Sequence, residues 1–137
     1  MASAQSTVAV NLVAGEDLRG DLYEIVTVNV SGQVVKATAV TETVVGVLAE
    51  EPRTDAVSTG ETVPVVLLQG IVKVKAGGVV TAGDLVVPDV TAGRVIGVTG
   101  VGALAADSMA IGVAMVTAAD GDIFEMLAMP IAAPHSV

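Results

Sequence analysis

Between residues 46 and 87 the chain reads GVLAEEPRTDAVSTGETVPVVLLQGIVKVKAGGVVTAGDLVV, and no valine-rich run in it lasts long enough to build a helical face before a glycine cuts it off. Three such runs, 63–68, 71–75 and 85–87, are bounded by Gly with Glu, Gln or Asp beside it. Short β-branched runs between Gly-containing turns specify strands rather than helices. Lys73 and Lys75 alternate with Val72, Val74 and Ala76, which predicts a strand with one wet and one dry face. Residues 62–68 are apolar on both faces. A strand of that kind has to be covered twice, by its own core and by something else.

The same reading extends over the rest of the chain. Residues 1–6 are small and polar and are expected to form a mobile arm; Val8, Val10 and Leu12 then alternate with Thr7, Ala9 and Asn11, which predicts either a strand or an extended arm laid on a partner. A charged turn at 15–21 leads to strands at 22–30 and 33–40, which Ser31-Gly32 joins as a hairpin. Another strand at 44–50 is closed by Pro52, which fixes φ and cannot donate to a ladder. Residues 53–59 have room for one helical turn, and 100–107 are ambiguous between a loop and a short helix. Strands at 94–99, 109–117 and 122–129 complete the set. The expected fold is all-β: a single compact antiparallel barrel-like or sandwich-like domain with Gly-Asp corners, at most one or two short helical turns and an extended N-terminal arm. Its parts are the arm (1–14), the β domain (15–130) and a Pro-broken tail (131–137).

Composition then excludes classes of function. The 137 residues fit one domain with a real core. Aromatic residues make up 1% of the chain (Tyr23 and Phe124), and the formal net charge is -9, so base stacking and phosphate attraction are both missing and nucleic acid is an unfavourable partner. Hydrophobic residues reach 53%, yet every apolar run stops short of the roughly 20 residues that a spanning helix needs, so no membrane partner is expected. The first ten residues lack a positive n-region and an apolar h-region, which predicts a protein made in the cytoplasm without export. Without Cys the chain carries no redox information. Its surplus apolar surface is most economically buried in a homo-oligomer.

An internal echo supports the β reading. Gly46-Val47 followed by Gly60-Glu61-Thr62-Val63 is mirrored by Gly112-Val113 followed by Gly121-Asp122-Ile123-Phe124, and Gly20-Asp21 and Gly83-Asp84 stand directly before expected strands. Glycine turns the chain through positive φ, and the acidic neighbour keeps each corner in water.

The order of these corners resembles the capsid cement or head decoration proteins of tailed bacteriophages over residues 46–130. Gly46-Val47-Leu48 comes first, then Ala56 with the Gly60-Glu61 corner, the strand at 63–68 and Gly70-Ile71-Val72. Ala82-Gly83-Asp84, the turn at 89–95, Ile111-Gly112-Val113-Ala114 and Gly121-Asp122 follow. The resemblance implies a trimeric virion protein on the capsid exterior, bridging major capsid protein subunits at threefold or quasi-threefold positions. Thr7, Val8, Val10, Leu12, Val66 and Leu68 are the candidate capsid or subunit contacts, the first four on the strand or arm at 7–13 and the last two on the strand that must be covered twice.

No motif for chemistry assembles. Gly100-Val101-Gly102-Ala103-Leu104-Ala105 fits a dinucleotide fingerprint with Asp120 about 20 residues on, but Met109 already begins a strand and leaves no room for the crossover helix. Arg19-Gly20-Asp21 spells an adhesion tripeptide that one more Gly-Asp corner explains. His135 is the one histidine, so neither a triad nor a zinc site can be built. Glu50-Glu51 and Asp120-Gly121-Asp122 lack the spacing of a calcium loop and read as solvated strand ends. Met109, Met115, Met126 and Met129 read as core fillers. No catalytic residue, cofactor or metal is expected. A glycan-binding surface module is the alternative, opposed by the absence of Trp and the single Tyr; an enzyme ranks last.

Overall fold

The computed structural model describes residues 8–37, 43–50, 61–100, 102, 104 and 109–132. Ten strands carry the fold: β1 (Ala9–Val13), β2 (Ile25–Val28), β3 (Val34–Lys36), β4 (Gly46–Leu48), β5 (Thr62–Leu67), β6 (Gly70–Lys75), β7 (Leu85–Pro88), β8 (Val95–Val98), β9 (Met109–Ala114) and β10 (Ile123–Ala132). They form two five-stranded sheets, ordered β1-β5-β4-β2-β3 and β6-β10-β9-β7-β8, with every strand pair antiparallel. The chain is therefore all-β, with two open sheets. One isolated parallel bridge in each half, Ala14 to Val34 and Ala76 to Val95, links the residue after the first edge strand to the opposite edge strand without closing the sheet.

The second strand order is the first with five added to every label, so the chain is one five-stranded unit built twice. Registers agree in detail. Val63 opposite Leu12 in the first half corresponds to Phe124 opposite Val74 in the second, and Gly46 opposite Leu67 corresponds to Gly112 opposite Ala128. The loops agree as well: the Gly15 N–H donates to Val34 O at 2.7 Å, and the Gly77 N–H donates to Val95 O at 2.8 Å.

Packing shows how the two units are joined. The inner face of the first sheet encloses Ala14, Leu18, Val26, Val34, Leu48 and Val65, and their counterparts Ala76, Val80, Val86, Val95, Ala114 and Met126 lie in the core of the second unit. That second core also takes in Ile25, Ala37 and Val47 from the back of the first sheet, so the first unit lies against the second. Full burial of an Ile or Val side chain such as Ile25 or Val47 contributes about 1.5–3 kcal/mol, which makes this joint a substantial part of the fold. On the back of the second sheet, Leu85 and Val87 are instead covered by Leu104 and Ala110.

Strand β5 meets the expectation of double cover: Val63 and Val65 point into the first core, while Val66 and Leu68 pack on the joint. Three expectations change. First, within the chain Ala9–Val13 is a strand paired with β5 at the edge of the first sheet. Second, Gly20-Asp21 does not stand directly before a strand, because β2 starts only at Ile25. The counterpart of Gly83-Asp84 is Tyr23-Glu24: the Tyr23 N–H donates to Leu48 O at 2.9 Å and the Gly83 N–H to Ala114 O at 2.8 Å, both at positive φ (64° and 91°). Third, only Met126 of the four methionines is a core filler. Met109 and Met129 are exposed on β9 and β10 and Met115 lies just past the end of β9. The helical turn expected at 53–59, most of 100–107 and the end of the tail lie outside the described residues.

Candidate functional site

The groups with the most developed chemistry sit at the joint between the two units. Glu24, with 5% of its side chain exposed, places Oε2 3.7 Å from Arg94 Nε and 3.8 Å from Lys75 Nζ across the joint. Backbone bonds flank it: the Ile25 N–H donates to Gly93 O at 2.9 Å, and the Gly93 N–H donates to Ala37 O at 2.7 Å. Gly93 has room for no side chain, since a Cβ there would meet Glu24 Oε1 and stand 2.9 Å from Glu24 Cβ. Burial pushes the Glu24 carboxyl above its ordinary range and the charge of Asp21 pushes the same way, against the pull of Lys36, Arg94 and Lys75. Glu24 is therefore the latch residue between the units, held by side chains and backbone from both.

Beside the latch is an open hollow of about 590 Å³, lined by Tyr23, Lys73, Val116, Ile123, Phe124 and Glu125. Lys73 Nζ stands 5.9 Å from the Tyr23 ring centroid, within reach of a cation–π contact. That is why Lys73 and Lys75, expected on a wet face, are half-buried: Tyr23 and Glu24 lie over them. Among the described residues no nucleophile with an orienting base faces the hollow.

The interaction candidates divide into two groups. Val8 and Val10 are exposed on or beside β1, Leu12 is half-buried against the first core, and Thr7 lies outside the described residues. Val66 and Leu68 are half-buried on the joint inside the molecule, so their second cover comes from the chain itself. Strand β1 is one edge of its sheet, with the sequence Ala-Val-Asn-Leu-Val and no charge, whereas its counterpart edge β6 carries Lys73 and Lys75. Charged side chains discourage edge-to-edge pairing, and β1 has none. Exposed Val13 adds to its apolar surface, a residue that sequence reasoning passed over because its place on the edge depends on strand order.

The other motifs resolve into local structure. Arg19 pairs with Asp17 at 2.7 Å, which holds the Asp17 carboxyl down at about 2, and Asp21 turns to Lys36 at 3.5 Å; the tripeptide is a folded corner. Asp120 lies 3.8 Å from Arg94, and Asp122 accepts the Ala119 N–H at 3.0 Å. Among the described residues no three His, Cys, Asp or Glu side chains cluster as metal ligands would, and no helix is long and apolar enough to cross a membrane. Glu51 and His135 lie outside them.

The architecture is thus that of an all-β protein made from a duplicated five-stranded unit. No protein-family model matches the sequence, and no curated protein is similar to it. Among solved structures the fold is similar to the N base of the head fiber protein gp8.5 of bacteriophage phi29, with a TM-score of 0.63 and 14% identity over 93% of this chain and 98% of that one.

Proposed function

We propose that this chain is a structural protein of a bacteriophage head. The observation that carries the reading is the likeness, over nearly the whole of both chains, to the base of a phage head fiber. The corner pattern of residues 46–130, which resembles head decoration proteins, points the same way independently of the fold. In this reading the protein sits on the capsid exterior as a trimer where major capsid protein subunits meet, and has no catalytic role.

The mechanics follow from linkage. A clip that binds only the expanded shell adds its binding free energy to that state and shifts the shell away from rupture. A trimer makes three such contacts at once, so weak single contacts sum to firm attachment. A β body with apolar edges and a net charge of -9 suits protein partners and repels the packaged nucleic acid.

Co-sedimentation with expanded and unexpanded shells of the cognate phage tests this. Saturable binding to expanded shells is the expected result. A protein that stays in the supernatant with both overturns the reading.

A further inference from the structure

The duplication gives each surface of one unit a counterpart on the other, and the two sets differ in cover. On the receiving side of the joint, Val72 of β6 is 1% exposed, while its counterpart Val10 on β1 is 39% exposed. Lys75 and Arg94, which hold Glu24, correspond to Val13 and Gln33 at the bare end of the first unit. On the docking side, Val66 and Leu68 pack on the joint, while the counterpart of Val66, Leu127, is 43% exposed, with Met129 exposed beside it on β10. Leu104 packs on Leu85 and Val87 of that back face, with Val113 and Ile131 drawn into the same cluster, and leaves the strip at Leu127 and Met129 exposed. Among the described residues two apolar strips therefore stay exposed, the β1 edge and Leu127 with Met129, and each is the counterpart of a part of the joint.

We propose that a second copy of the chain docks the back of its second sheet, at Leu127 and Met129, against the β1 edge of the first unit, at Val10 and Val13, so that copies join head to tail. The contact uses the outer part of the surface that unites the halves within one molecule, with Leu104 lying at its margin. In such a contact Asp84, the counterpart of Glu24, faces Val13 and Gln33. Because donor and acceptor surfaces differ, the association is heterologous and closes into a ring or runs on as a filament. Closure at three copies, giving a ring of six units, rests on the trimer reading above; the contact itself does not.

The test exploits opposite charges at one exposed position. Val13→Lys installs the residue that its counterpart Lys75 carries and sets it toward Asp84 of the next copy, whereas Val13→Glu sets like charges together. Self-association by sedimentation equilibrium is expected to tighten in V13K and to weaken about tenfold or more in V13E and L127E. Mixing V13E with L127E leaves one sound surface on each, so the mixture is expected to associate more tightly than either alone. Circular dichroism and thermal melts check that each variant folds, and M129E replaces L127E if that one does not. A trimer whose association is weakened by V13K as much as by V13E, or is untouched by V13E and L127E, overturns this contact and leaves the trimer standing. A wild-type monomer at all concentrations overturns both, while shell binding still decides the head-protein reading.

Discussion

Gly46 and Gly112 occupy the same place in the two units, each with its α-carbon against a carbonyl of the neighbouring strand, Val66 O for Gly46 and Leu127 O for Gly112. A Cβ on Gly112 would stand 2.6 Å from Leu127 O and 2.9 Å from Met126 Sδ, and one on Gly46 would stand 2.6 Å from Val65 Cγ1. Backbone carbonyls in a ladder cannot swing aside as a side-chain end can. Gly46→Ala and Gly112→Ala are each expected to destabilise the chain by about 1–3 kcal/mol in urea unfolding. Gly102→Ala, with nothing within 4 Å of the added atom, is the control and is expected to stay within about 0.5 kcal/mol. Equal effects at all three positions would mean that the close approach has no energetic weight.

Two other glycines separate backbone strain from steric overlap. Gly83 at φ 91° has open space around it, so Gly83→Ala meets only the left-handed penalty of about 1–2 kcal/mol. Gly93 at φ 80° adds the overlap with Glu24 and bonds to both Ile25 and Ala37. Gly93→Ala is expected to exceed Gly83→Ala by about 1 kcal/mol or more and to loosen the joint. Hydrogen exchange of the Ile25 amide reads that loosening directly, and unchanged protection there would contradict it.

The two cores fill the same space with different side chains. Leu48 of the first unit corresponds to Ala114 of the second, while Val63 and Val65 correspond to the larger Phe124 and Met126. Volume gained on one strand is given up on its neighbour, as dense interiors require. Leu48→Ala is expected to cost about 2–5 kcal/mol through an unfilled cavity. Ala114→Leu is expected to cost about 1–3 kcal/mol through overpacking. Combining Ala114→Leu with Met126→Val, its partner across the ladder, restores the first unit's pair of Leu48 and Val65 and should recover part of that loss; a strictly additive double variant would show that the two sites do not share volume.

These swaps also explain how far the fold was legible in the sequence. Strands were readable because Val runs and Gly corners are local signals, and the echo of Gly46 with Gly112 and of Thr62-Val63 with Ile123-Phe124 marks true counterparts. That the echo meant a duplication was hidden, because core positions exchange Val for Phe and Leu for Ala across it. The corner at Gly20-Asp21 misled for a related reason. In the first unit Tyr23 takes the positive φ that Gly83 takes in the second, a conformation that costs a non-glycine residue about 1–3 kcal/mol and leaves no mark in composition. The latch at Glu24 was equally invisible. Its partners Lys75 and Arg94 are remote in sequence and meet it only through the packing of one sheet on the other.

The same latch gives the chain a pH dependence of defined sign. Burial raises the Glu24 carboxyl above its ordinary 4.5, so between those two values the folded chain binds more protons than the unfolded one. Stability from this group therefore rises as pH falls through the folded pKa and levels off near the unfolded one. Asp17 works in the opposite sense but elsewhere, since its carboxyl drops from 3.8 to about 2 and its contribution is lost only in that more acidic window. Glu24→Gln removes the titrating group and keeps its size. Melting temperatures of wild type and E24Q from about pH 7.5 down to about 4.5 are expected to draw together or cross, with wild type gaining on the variant as pH falls. Subtracting the two curves cancels the other carboxylates. A difference that stays flat, or in which wild type loses ground on acidification, would mean that ion pairing with Lys75 and Arg94 outweighs burial at this site.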